Sequence, residues 1–353
     1  MKKSLFLLLL LLIAASLLFS ACGSAPAAPD PAEPSADAAE SAAPETERAP
    51  AYEFQPKVAS SYLREVFGDQ MVETWFCLVD AVMAGEETFA CPDQETYDWV
   101  IGQFPERCFP VLCELIDYPY DREHTVTDGV GQFIYTVPKE EAAERIAAFA
   151  EQIEGILNTA LSGGETDFEK MLKLYLYYTD TYVYDYDALA DTEVGYPSYL
   201  SSWRVFSEGK GICQEHSVAY AYLLQQVGVD ATRMSGVRAY DGEHHQWTYV
   251  RLNGHNYHID PTYGLGSGGD LAYFLMDDAQ REAEDDYRPE TFIITSNYAQ
   301  EHPHPDYLAD DNTFRPIWAG FFTGLDEAHK RLTYTVYSEN DEGVERTFDY
   351  TGF

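Results

Sequence analysis

The chain has 353 residues and a formal net charge of −38, from 22 basic and 60 acidic side chains. A polyanion such as a nucleic acid is excluded as a partner, because that binding is driven by Lys and Arg neutralising phosphates, and anionic lipid surfaces are disfavoured on the same ground. The charge does not imply a disordered chain: hydrophobic residues make up 46% of it, with 27 Tyr and 19 Phe, a core-forming supply that disordered chains lack.

The N-terminus carries an address. Lys2 and Lys3 precede an uncharged apolar run from Ser4 to Ala21, and the small residues Ser20 and Ala21 stand before Cys22. Residues 1–21 therefore read as a secretory signal peptide. The small-small-Cys ending resembles the lipobox of bacterial lipoproteins, which implies cleavage before Cys22, lipidation of Cys22 and a membrane anchor on the extracytoplasmic side. The alternative is an uncleaved anchor, since a bilayer needs about 20 apolar residues. Residues 22–51 continue as a tether of Pro, Ala and acids that cannot bury enough apolar area to offset chain entropy.

Residues 52–165 form a mainly helical N-terminal region. Residues 58–84 have helical spacing with a break at Gly68, and 95–117 are interrupted by Pro105 and Pro110. Residues 131–138 read as a strand ending at Pro138. A long amphipathic helix follows, with Ile146, Phe149, Ile153, Ile156 and Leu157 on one stripe and Gly163-Gly164 at its end. Cys77, Cys91, Cys108 and Cys113 lie in this region. Export permits disulfides among them, and buried free thiols are the alternative. No CxxC pair occurs, which argues against a zinc ribbon.

Residues 166–290 hold the chemistry. Thr166 with Glu169 has the spacing of a capping box for a helix over 167–181. The Tyr-rich stretch 174–199 reads as core and strand packing rather than a carbohydrate platform. Gly209-Lys210-Gly211 turns into a helix that starts near Cys213. A strand over 229–240 leads to a hairpin around Asn253-Gly254, a preferred two-residue turn. Residues 291–353 form a β-rich extension with strands at 292–296, 331–338 and 346–351. The whole is α+β with an antiparallel sheet.

The hairpin fixes which side chains can meet. Counting from Asn253-Gly254, Trp247 faces Asp260, so His245, Trp247 and Asp260 share one face and His244 points to the other. His245 and Asp260 are diagonal neighbours about 7–8 Å apart at the backbone, within side-chain reach. A cysteine at a helix start with a His–Asp pair is what thiol catalysis needs. The helix N-terminus and an imidazolium favour the thiolate. His245 takes and returns the proton, Asp260 orients it, and backbone N–H groups at the helix start can receive an oxyanion. Parity also argues against zinc held by His244, His245 and His258. His255 and His258 read as hairpin surface, EHPHPD (301–306) as an exposed loop and EAEDDY (282–287) as a solvated face.

Three pieces carry a resemblance: Gly209-Lys210-Gly211-Ile212-Cys213-Gln214, then His245-Gln246-Trp247, then Asp260-Pro261-Thr262. In order and spacing they resemble the bacterial transglutaminase-like superfamily, relatives of papain-fold cysteine enzymes, over roughly residues 167–280. The resemblance implies a papain-like core with the catalytic Cys at a helix N-terminus packed on an antiparallel sheet. It implies a thioester formed from an amide, with hydrolysis by a peptidase or amidase favoured over protein crosslinking. It also implies an aromatic or polar oxyanion partner upstream of Cys213, for which Trp203 is the candidate, with Gln214 and Trp247 as site support. No cofactor and no metal are expected, since nothing maps to the calcium sites of the family's animal branch. Glu215 and His216 replace the family's usual Gly and aromatic. Glu215 puts a negative charge beside Cys213 that opposes the thiolate, which leaves a degenerate binding module of the cell envelope as the second reading. Glu208, Glu215, Asp241 and Glu243 near the motif point to an amine-bearing or basic protein or peptide substrate.

Overall fold

The computed structural model describes residues 51–120, 125–192, 194–195, 197–285, 287–291, 308–338, 340 and 342–353. The signal peptide, Cys22 and most of the tether lie outside the described residues, as do the strand expected at 292–296 and the loop at 301–306. No helix among the described residues is long and apolar enough to cross a membrane.

Helices α1 (Ser61–Phe67) and α2 (Asp69–Met83) are separated by Gly68 at φ 84°. The stretch after them breaks at its prolines into α3 (Gln94–Gly102) and α4 (Phe104–Cys108), with one further turn at Leu112–Leu115. The strand expected at 131–138 is instead two short pieces, Val130–Gln132 and Ile134–Tyr135, which pair in different sheets. Helix α5 (Lys139–Ala160) buries the expected stripe, Ile146, Phe149, Ile153, Ile156 and Leu157. Helix α6 (Asp167–Thr181) starts with the capping box: Thr166 N–H donates to Glu169 Oε2 at 2.8 Å, and Glu169 N–H donates to Thr166 Oγ1 at 3.3 Å. The motif region contains α7 (Trp203–Glu208) and α8 (Cys213–Gln226).

The central sheet has strands β1 (Ala231–Arg238), β2 (His244–Leu252) and β3 (His255–Ile259). Helix α9 (Asp278–Asp285) then leads to β4 (Tyr287–Thr291). The order is β3-β2-β1-β4, all antiparallel. A separate sheet of β5 (Phe321–Asp326), β6 (Arg331–Tyr337) and β7 (Gly343–Asp349) closes the chain. This is the expected α+β class.

Both faces of the central sheet are covered. Thr248 Oγ1 donates to Ser217 O of α8 at 2.8 Å. On the alternate residues, Trp247 and Tyr249 join a second cluster with Tyr62 of α1, Met234 and Tyr287. Helix α8 is buried from Glu215 to Gln226 on every side, not only along an apolar face. The ring of Phe149 sits where helices meet, with Tyr222 stacked at 5.8 Å and Phe206 and Trp203 edge-on at 5.7 and 5.5 Å. Helix α8 therefore starts from a fixed point, which matters because Cys213 is its first residue.

Cys77, Cys91, Cys108, Cys113 and Cys213 are all free thiols. Burial pushes the Cys91 and Cys108 thiols up to about 11 and about 12, so they behave as small apolar groups. Alkylation of the unfolded, unreduced protein should label all five; a disulfide-linked peptide in the digest would contradict the fold.

Candidate active site

The turn before Cys213 is built by close approach and buried charge. Gly209 ends α7 at φ 75°, a left-handed cap that favours glycine. Gly211 is needed for space: a Cβ there would lie 2.9 Å from Val205 Cγ2 and 3.0 Å from Glu215 Cβ. Glu215 then reaches back, and its Oε2 accepts the Ile212 N–H at 2.9 Å while its Oε1 accepts the Ser201 N–H at 3.0 Å. Arg204 Nη1 meets both Glu215 oxygens, at 3.1 and 3.0 Å, and its Nη2 reaches Asp185 Oδ2 at 2.5 Å. Burial pushes the Glu215 carboxyl up, against the Ile212 N–H and Arg204. Burial opposes charge on Asp185 too, yet Lys210, the Ala188 N–H and Arg204 hold it down at about 2. The expectation that Glu215 opposes the Cys213 thiolate is thus corrected: its side chain is fully buried and paired with Arg204.

His216, the other departure from the family pattern, also has a local task. Its Nε2 lies 3.1 Å from Val183 O and its Nδ1 2.8 Å from the Tyr178 hydroxyl. Burial pushes it down to about 4, so it is a neutral strut. It pins the two-residue strand Val183–Tyr184, which pairs in parallel with Lys210–Gly211. That pairing sets Tyr184 beside the nucleophile, and burial, with the charge of Cys213 next, keeps its phenol protonated.

The structure brings Cys213, His245 and Asp260 together. His245 Nε2 donates to Asp260 Oδ2 at 2.7 Å, which leaves Nδ1 for the sulfur of Cys213, the other group that acts on the imidazole. Burial opposes the imidazolium, but the charge and hydrogen bond of Asp260, then Cys213, raise His245 to about 9. Asp260 is held below the usual carboxylate range: burial opposes its charge, and His245 and Arg281 overcome it. Asp260 also caps the short helix Pro261–Gly264 by accepting the Thr262 and Tyr263 N–H groups.

Cys213 and His245 open on a cleft of about 610 Å³, with Tyr184, Tyr186, Leu189 and Tyr263 on its walls and Asp180 and Glu243 among its carboxylates. Of the four acids noted near the motif, Glu243 alone lines it; Glu208 pairs with Arg204, Asp241 with Arg238, and Glu215 is buried. Glu243 itself is bound by Arg238.

Other assignments change. Trp203 does not line the cleft; it packs edge-on to Phe149 in the helical core, and Tyr184 lines the cleft with Cys213 instead. Gln214 turns away to Glu106, with Nε2 3.3 Å from Oε1. Trp247 is fully buried, 5.7 Å from the His245 ring. His258 is not on the surface: it is fully buried, accepts from Trp247 Nε1 at Nδ1 and donates from Nε2 to Asp278 Oδ1, each at 2.8 Å. His255 is exposed as expected. Within EAEDDY, Glu282 and Glu284 are exposed, but Tyr287 is buried 4.9 Å from the His245 ring. No group of His, Cys, Asp and Glu among the described residues forms a metal site.

Residues 154–261, which contain all three of these side chains, match the family model described as the Transglutaminase-like superfamily. The chain therefore carries a transglutaminase-like domain, from a superfamily that includes cysteine peptidases and acyltransferases. No curated protein matches the chain. Among solved structures, a candidate cysteine protease from Cytophaga hutchinsonii is similar at 14% identity, covering 38% of this chain and 51% of that one, with a TM-score of 0.27. A TGase is similar at 19% identity, covering 45% and 46%, with a TM-score of 0.33. EGTA-treated LapG of Legionella pneumophila is similar at 13% identity, covering 42% and 70%, with a TM-score of 0.27. The chain thus spans about half the length of the first two.

Arg204→Met should cost about 3–5 kcal/mol, because it leaves Glu215 as a buried charge without its partner and Asp185 with Lys210 alone. Urea unfolding checks this; a loss under about 1 kcal/mol, the range of an exposed ion pair, would contradict the role given to Arg204.

Proposed function

We propose that this protein is a cysteine-dependent enzyme that cleaves amide bonds through a thioester, acting as a peptidase or amidase. The observation that carries this reading is the meeting of Cys213 with the hydrogen-bonded His245–Asp260 pair at one cleft. With the Cys213 proton held on His245, the sulfur attacks the amide carbonyl carbon. As the C–N bond breaks, the imidazolium returns that proton to the departing amine, leaving a thioester on Cys213. Water, deprotonated by His245, attacks the thioester; the acid leaves and the thiol is restored. The Tyr184 phenol, on the cleft wall beside Cys213, and the Cys213 N–H are the donors for the oxyanion. The degenerate-module reading loses its support, since the charge of Glu215 is spent on Arg204. Transfer to a lysine amine remains the alternative outcome of the same thioester.

The carboxylates at the cleft favour a basic or amine-bearing protein or peptide as substrate. The small-small-Cys signal supports placement on the outer side of the cell membrane through lipid on Cys22. Mass spectrometry of the membrane fraction checks that anchor: an unmodified Cys22 would count against it. Lys-rich peptides should be cleaved faster than Glu-rich ones at low salt, with the difference shrinking at high salt; equal rates at both salts would exclude steering. A labelled amine supplied with a Gln peptide separates hydrolysis from transfer.

Cys213→Ala should abolish turnover, and Tyr184→Phe should lower kcat by about 10²–10³. His245 acts as an acid, so its proton is present below about pH 9 and lost above it. Activity should therefore fall as pH rises through about 9, and Asp260→Asn, which removes the anion that raises this value, should move the fall to lower pH. A limb that stays in place in a folded Asp260→Asn protein would falsify the assignment.

A further inference from the structure

Helix α9 exposes Glu282 and Glu284 and turns Asp278 and Arg281 towards the sheet. Asp278 Oδ1 accepts the His258 Nε2–H at 2.8 Å, and His258 in turn accepts from Trp247. This ties α9 to β3 and β2. Arg281, one turn further on, points at Asp260: Nη1 lies 2.7 Å from Oδ2, and both side chains are fully buried. The guanidinium lies over three rings, 5.1 Å from Trp247, 5.4 Å from Tyr287 and 5.6 Å from Tyr263. Aromatic faces attract a guanidinium and restrict its plane.

Asp260 consequently has a donor for each of its four acceptor positions. Oδ1 accepts the Thr262 and Tyr263 N–H groups at 3.1 and 3.3 Å. Oδ2 accepts His245 Nε2 and Arg281 Nη1, each at 2.7 Å. Two cationic donors share one oxygen. We infer that Arg281 is a positioning residue for the reaction proposed above: it fixes the Asp260 carboxylate and, by sharing Oδ2, weakens that carboxylate's hold on the His245 proton.

The physical reason lies in general acid catalysis. A buried imidazolium paired with an undivided carboxylate keeps its proton too well, and an acid works best with a pKa near the operating pH. A guanidinium does not deprotonate, so its competition for Oδ2 operates at every pH. Neutral groups surround the pair. His216, pushed down to about 4 by burial, is uncharged near neutral pH. Tyr175 and Tyr287 are held protonated by burial, with nearby acids adding to it. Glu243, beyond Tyr287, is bound by Arg238. Cys213 and Arg281 are therefore the groups whose charge acts on the His245–Asp260 pair directly.

The inference rests on the catalytic reading of Cys213 and His245, and its test is kept separate from turnover. Histidine NMR on the full chain carrying Cys213→Ala reads the His245 titration with no thiol present. Adding Arg281→Gln should raise that midpoint by about one unit, because a cation next to the imidazolium is lost; Arg281→Lys, which keeps the charge, should bring it back towards the parent. In the enzyme with Cys213, Arg281→Gln should lower kcat about tenfold with KM little changed, and move the alkaline limb up with the NMR midpoint. An unmoved midpoint in folded Arg281→Gln overturns the inference, and so does a rise in KM with kcat intact. If Arg281→Gln fails to fold, Arg281→Met, apolar among the same rings, gives the same readout. Absence of amidase activity alongside a shifted midpoint would remove the proposed function and leave the action of Arg281 on the pair standing.

Discussion

The grip of Arg204 on Glu215 and Asp185 is the constraint on which the site depends. It joins three stretches that are distant in sequence: the segment behind Tyr184, the helix before the turn and the first turn of α8. Glu215 uses its remaining capacity on the Ile212 and Ser201 N–H groups. Backbone donors at a helix start need partners, and here a buried carboxylate supplies one at the residue before Cys213. A buried ion pair is a weak source of net stability, since desolvation offsets much of the attraction. Its value is geometric: it holds the turn, the nucleophile and the Tyr184 strand in one arrangement.

The same economy governs the second half of the site. Asp260 caps a helix turn, orients His245 and holds Arg281 with one carboxylate. The buried charges of the site are paired: Glu215 with Arg204, and Asp260 with Arg281 and His245. The large negative net charge is thus a property of the surface and the cleft mouth, where it acts on approach of a substrate, and not a field imposed on the thiol.

Much of this was legible in the sequence, and for identifiable reasons. The capping box at Thr166, the stripe of α5 and the Asn253-Gly254 hairpin are local signals with periods of three to four residues or two. Hairpin parity is equally local, so the meeting of His245 with Asp260 could be argued from Asn253-Gly254 alone; the observed register runs to Thr248 opposite Ile259, one step short of Trp247 and Asp260. The misreadings share a different cause. Trp203 was assigned to the oxyanion by position before the Cys, but the parallel pairing of Val183–Tyr184 with Lys210–Gly211 brings in a residue from further upstream. His258 and the acidic run were read as surface from polarity, and a buried polar side chain with a partner looks the same in sequence as an exposed one.

By itself the sequence determined the class, the order of nucleophile, base and orienting acid, and which of two adjacent histidines faces Asp260, because each follows from short-range periodicity and turn chemistry. Only the tertiary structure decided that Glu215 is paired with Arg204, that Tyr184 lines the cleft beside Cys213 and that Arg281 shares Asp260 with His245. Those contacts join residues on separate elements, and their energies depend on burial and partnership, which spacing along the chain does not encode.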